Sequence, residues 1–262
     1  RTRTRDSHWG WTEKRGPSTD TCWWCRGAPA DSREHKLKRS DLVRQFGAGP
    51  YPELVSEREG RLRHVQGPNS KLAKFRPSMC ARCNNERSQP FDVAYDSFTS
   101  YLHDHERHVL ASRSVDLGAV YGEDWKAGRD GLLRYMAKHI GCRLAENDIE
   151  VPMSIRGYLQ GGPEPRAEMA LEFEIRADIA RATKSDLADG SMWLGDVYFS
   201  EFDQEGRPLV IESHYGYRWL RVAWGVGSDL GGYPWPFRAA LQALPHGPTE
   251  PRCEPSERRP FG

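Results

Sequence analysis

Four cysteines in two close pairs are the residues of this chain best suited to chemistry. Cys22-Trp23-Trp24-Cys25 and Cys80-Ala81-Arg82-Cys83 are both CxxC pairs. Four thiolates arranged this way complete a tetrahedral zinc site, with sulfur about 2.3 Å from the metal. Redox exchange, the rival use of such thiols, needs one CxxC at a strand–helix turn, so two pairs more than fifty residues apart favour structural zinc. Between the pairs lie Glu34 and His35, and Asn84 follows the last cysteine. Zinc needs none of these three.

A histidine that accepts a proton from water contributes roughly 10²–10⁴-fold as a general base. Phosphodiester hydrolysis also calls for a divalent cation to neutralise charge at the scissile phosphate. Such a hard cation prefers oxygen ligands, for example a carboxylate and an amide carbonyl. Glu34 and Asn84 supply that pair of oxygens, and a zinc fastening both cysteine pairs is expected to draw residues 34–35 towards 84.

The elements that must position these residues are partly readable. Residues 1–20 form a basic arm with Arg1, Arg3, Arg5, Lys14 and Arg15. Ser40–Phe46 has the pattern of a short helix, with Ser40 as N-cap and Gly47 past its end. Residues 47–60 look like a loop. Arg61–Val65 and Lys71–Phe75 alternate apolar with polar residues around Gly67-Pro68-Asn69, which predicts a β-hairpin. Phe91, Tyr95, Phe98, Leu102, His105 and Val109 share one face of a long helix whose expected N-cap is Ser88. Trp125, Leu132, Leu133, Met136, Ile140 and Leu144 mark another helix, and Pro152 opens a short third one. After the linker-like Gly161–Pro165 the period shortens to two. Leu171–Ala177, Met192–Phe202, Pro208–Ile211 and Tyr217–Val226 predict an antiparallel meander, with a covering helix near Phe237–Leu244. Trp193, Trp219, Trp224 and Trp235 are expected to fill its core.

Charge is unevenly spread. Residues 1–114 carry 21 Lys and Arg against 14 Asp and Glu, and residues 115–262 carry 17 against 23. A basic first half beside an acidic second half suggests an anionic partner for the first. Six cysteines are too few for a disulfide scaffold; Cys142 and Cys253 are expected to be lone thiols. No apolar run approaches the ~20 residues of a membrane helix. A reducing, cytoplasmic compartment is the expectation. Arg1 in place of an initiator Met fits a trimmed chain and leaves room for an upstream targeting segment.

Cys22-x-x-Cys25, Glu34-His35 and Cys80-x-x-Cys83-Asn84 together resemble the HNH, or ββα-metal, endonucleases braced by a tetracysteine zinc, of the endonuclease VII layout. The resemblance covers about residues 20–110. It implies that His35 is the general base, that Glu34 and Asn84 hold a catalytic Mg²⁺ or Mn²⁺, and that Cys22, Cys25, Cys80 and Cys83 hold a structural zinc. Lys36, Lys38, Arg39 and Arg82 flank this set and are candidates to grip phosphate oxygens. The chain departs from the family pattern at three points. Glu34 stands where Asp is usual, the loop from His35 to Cys80 is long, and no Asn matches the central position that orients the histidine.

The expected fold is α+β: a zinc-braced ββα-metal domain, a helical segment, then an antiparallel β-sheet domain. Expected boundaries are a basic arm at 1–20, a nuclease-like domain at 21–112, a helical connector at 113–162, a β-rich domain at 163–246 and a Pro/Arg-rich tail at 247–262. The expected function is metal-dependent cleavage of DNA, with a protein partner conceivable at the C-terminal part and no membrane role. The alternative is a catalytically inactive zinc-braced protein that binds nucleic acid or serves an assembly.

Overall fold

A computed structural model describes residues 20–58, 60–182, 192–202, 204, 208–227, 230 and 241–242. The basic arm, the tail, Cys253 and Trp235 lie outside the described residues. The molecule mixes helices with antiparallel sheet, consistent with an α+β class.

The N-terminal half is built around the two cysteine pairs. Main-chain bonds from Cys22 N to Ala28 O (2.8 Å) and from Arg26 N to Cys22 O (2.9 Å) close the first turn, with Arg26 at a left-handed φ of 55°. The extended segment that follows forms isolated bridges, Ser32 with Met79 and His35 with Lys74, so it runs antiparallel to the approach to the second pair. Helix α1 is Arg39–Phe46. Lys38 rather than Ser40 precedes it, because the Ser40 hydroxyl donates to Asp96 (2.7 Å) instead of capping; Gly47 does end it, at φ 74°.

The hairpin is not where alternation placed it. Strand β1 is Tyr51–Arg58 and β2 is Arg61–Val65, so the stretch expected to be loop is itself a strand. Gly60, at φ 74°, turns the chain between them. Gly67-Pro68-Asn69 instead leads into a 3₁₀ turn, Lys71–Ala73, capped by Ser70, whose Oγ accepts from Leu72 N at 3.2 Å. The competing signal is the charge alternation in both strands. Glu53, Glu57, Arg61 and Arg63 leave no buried face from which to read the pairing register.

The helical run after Cys80 begins earlier than Ser88. A π-turn spans Arg82–Arg87 and passes directly into α2, Gln89–Asp104. Ser88 therefore lies inside the helical path and caps nothing; its Oγ lies 2.6 Å from Asn84 O. The long helix breaks at His105, and α3 (Glu106–Ser112) follows. Strand β3 (Val115–Asp116), α4 (Leu117–Tyr121), α5 (Trp125–Glu146) and α6 (Met153–Leu159) come next.

The C-terminal sheet holds β4 (Met169–Ile175), β5 (Met192–Leu194), β6 (Tyr198–Phe202), β7 (Pro208–Tyr217) and β8 (Leu220–Gly227), with α7 (Ala177–Ala182) after β4. All pairings are antiparallel in the order β4-β8-β7, with β5 and β6 both on the far edge of β7. Residues 237–240 and 243–244 of the expected covering helix lie outside the described residues. Leu241–Gln242 form strand β9, parallel to β3.

Segment 113–162 does more than link two parts. Helix α5 is buried almost all round, as a helix enclosed on every side must be. Trp23 lies over Gly141, where a Cβ would come within 2.4 Å of the indole. Tyr135 stacks on Tyr95 of α2 at 3.9 Å, and Tyr215 of β7 lies over His139 at 5.6 Å. One buried core thus runs from the cysteine turn through α2 and α5 into the sheet, where Trp219 and Trp224 are buried as expected and Trp193 is half-buried.

Candidate metal centre and the buried ion network

The four cysteines converge. Their sulfur atoms all lie within 4.8 Å of one another, and Cys25 Sγ is 3.8 Å from Cys80 Sγ. A tetrahedron with 2.3 Å metal–sulfur bonds has edges of about 3.8 Å, so this cluster could hold zinc. Cys83 N donates to Cys80 Sγ at 3.4 Å and Arg87 Nη1 to Cys83 Sγ at 3.6 Å, contacts that offset thiolate charge. Trp24 is buried beside the cluster, with Arg87 over its ring at 4.6 Å and Phe91 stacked at 6.2 Å. The Trp pair is packing, not an exposed stacking platform.

Glu34 and His35 sit on adjacent positions of an extended segment and find different partners. His35 Nε2 lies 3.0 Å from Pro68 O. A carbonyl can only accept, so Nε2 carries the proton and Nδ1 is left as the acceptor. Burial lowers the His35 pKa against the opposing pull of Glu34, which keeps the ring neutral. Glu34 is buried, and its Oε2 is 2.8 Å from Lys138 Nζ.

Lys138 is the residue that the sequence did not single out. Its side chain is 0% exposed, and its ammonium also lies 3.1 Å from both Asp92 oxygens and 3.3 Å from Ser88 Oγ. Burial alone would lower its pKa; Glu34 and then Asp92 outweigh that, and the net shift is upward. Lys38 joins the network at 2.7 Å from Asp92. Asp92, pushed up by burial, ends below its ordinary value because Lys138 and Lys38 face it.

Asn84 Nδ2 donates to Ser32 Oγ at 2.9 Å, which leaves its buried Oδ1 without a partner among the described residues. Of the flanking cations, Lys36 is paired with Glu146 at 3.0 Å and Lys38 with Asp92; Arg39 and Arg82 are exposed, Arg82 with Glu86 at 3.9 Å. The structure therefore joins Cys22, Cys25, Cys80 and Cys83 into one cluster and fixes His35. It couples Glu34 to Lys138 and Asn84 to Ser32.

No protein-family model matches this chain. Neither the curated proteins nor the solved structures contain a match. What the site can do must be read from its own atoms.

His139, also on α5, donates through Nε2–H to Lys36 O at 2.9 Å, since here too the carbonyl can only accept. Burial depresses its pKa to about 4 from the ordinary 6.5. Between those values the unfolded chain binds a proton that the folded chain refuses, so stability falls as pH falls through that window. Asp41, raised by burial to about 6, acts in the opposite sense, so a variant is the proper reference. The stability advantage of wild type over His139→Gln is expected to shrink by about 3 kcal/mol from pH 7 to pH 4. Urea titrations across that range measure it, and a constant difference would contradict a buried neutral histidine.

Proposed function

We propose that the chain is a metal-dependent endonuclease of the HNH type that cuts DNA. The observation that carries the reading is His35, whose Nε2–H is anchored on Pro68 O, so that Nδ1 is the nitrogen left to act as a base. The Pro68 carbonyl takes the orienting part for which the sequence offers no central Asn. In this reading His35 takes a proton from the attacking water, contributing about 10²–10⁴-fold. Asn84 Oδ1, buried and without a partner, and the Glu34 carboxylate oxygen not facing Lys138 are the ligands available to a hard divalent cation. When bound, Mg²⁺ or Mn²⁺ would neutralise charge on the scissile phosphate. Arg39 is exposed and open to phosphate oxygens, and Arg82 would exchange its exposed, 3.9 Å pairing with Glu86 for one. The zinc-binding cluster braces this arrangement and takes no part in the reaction.

Plasmid nicking in Mg²⁺ and in Mn²⁺, wild type against His35→Ala, tests the proposal. Wild type should cleave at least about a hundredfold faster than the variant. Equal rates, or no cleavage by either protein in any metal, would sink the catalytic reading.

One observation favours a second reading, a zinc-braced protein that holds nucleic acid without cutting it. The Lys138 ammonium already neutralises Glu34 at 2.8 Å, so that carboxylate has an internal counterion. This reading expects salt-dependent DNA binding with no strand scission in any metal.

A further inference from the structure

The β1–β2 ribbon projects from the N-terminal half with its charges sorted by face. Its register sets Ser56 opposite Arg63, Arg58 opposite Arg61, Glu57 opposite Leu62 and Val55 opposite His64. Side chains alternate along a strand, so Ser56, Arg61 and Arg63 share one face, with Arg58 at the remaining position of that row. Glu57 falls on the other face, with Val55, Leu62 and His64. Arg61 and Arg63 are exposed and make no ion pair with any described residue. Leu62 is 67% exposed and Val55 45%. The base is seated in the core through Tyr51 and Val65, with Leu54 packed against it.

A two-stranded ribbon of this kind is marginally stable by itself and gains little from burial here. Its position supplies a reason for it. Strand β2 ends at Val65, and three residues later Pro68 holds His35. Between α1 and the ribbon base a groove of about 450 Å³ runs along Arg39, Gln66, Asn69 and Ser70. The ribbon therefore starts beside this groove and the candidate site. Strands about 4.8 Å apart make a ribbon narrow enough for a major groove about 12 Å wide. Eight residues of β1 reach about 27 Å.

We infer that this ribbon is a docking arm for duplex DNA, with Arg61 and Arg63 on backbone phosphates. The inference takes its ligand class from the proposed function, but not the cleavage step. The test is fluorescence anisotropy of a labelled 20-base-pair duplex, without added divalent cation, over a salt series. Wild type and Arg61→Ala/Arg63→Ala are compared, after circular dichroism has shown equal folding. The double variant should bind about tenfold more weakly at low salt, with a log–log salt slope shallower by about 1.8, for two lost phosphate contacts. An unchanged slope and affinity in the double variant would overturn the arm, even if wild type cleaves. So would failure of wild type to bind the duplex, or tighter binding of single strands. The expected slope change without any cleavage would retain the arm and sink only the nuclease.

Discussion

Stripping metal from the four-cysteine cluster should unfold the protein. Structural zinc contributes about 10–16 kcal/mol in small peptides, as much as the roughly 5–15 kcal/mol that keeps a whole domain folded. Here the cluster joins residues 22–25 to residues 80–83 and carries Trp24 into the core. Elemental analysis should find one zinc per chain. A strong chelator or Cys80→Ser should abolish the cooperative thermal transition, and re-added zinc should restore it for the chelated wild type. A chain that purifies without metal and melts unchanged in chelator would refute the assignment.

Loss of the Lys138 ammonium should be the next most damaging change. Lys138→Met preserves most of the side-chain volume but leaves Glu34 and Asp92 facing each other's region without their shared counterion. Removing one partner of a buried pair costs about 3–5 kcal/mol. For a chain of this size that corresponds to a melting point lower by roughly 10 °C. Glu34→Gln in the Lys138→Met background should recover part of the loss, because it removes the carboxylate left uncompensated. A single-variant loss under about 1 kcal/mol, or no recovery in the double variant, would show that the pair is not the anchor described. The same variant bears on function. If Glu34 serves a divalent cation, Mg²⁺ should stabilise Lys138→Met more than wild type, since the internal ammonium no longer competes.

The cysteine cluster was legible because its signal is local. Each CxxC is a short pattern, and the four sulfurs converge as the spacing suggested, whereas Glu34 and Asn84 find partners, Lys138 and Ser32, that no local pattern names. The buried network was not legible, because its members are far apart. Lys138 and His139 sit in a helix whose apolar stripe was read correctly, where they pass for its solvated face. Only the fold reveals that Trp23, Tyr95 and Tyr215 enclose the other sides. In the β-rich half β4 and β8 form close to the stretches expected, but Glu172 of β4 is buried and β8 is buried on both faces. The β1–β2 ribbon was misplaced, since a strand polar on both faces gives periodicity nothing to record.

The seat of Trp23 on Gly141 also bears on how the chain is made. Trp23 and Glu34 are synthesised early, yet the surfaces that cover them arrive with α5, well after Cys83. At about 5–20 residues per second, roughly 3–12 s separate the emergence of Cys83 from that of Gly141. During that interval metal can close the cysteine cluster, while the indole of Trp23 and the Glu34 carboxylate still wait for the far side of their cradle. A nascent chain halted before residue 138 would carry a finished clasp and an open core.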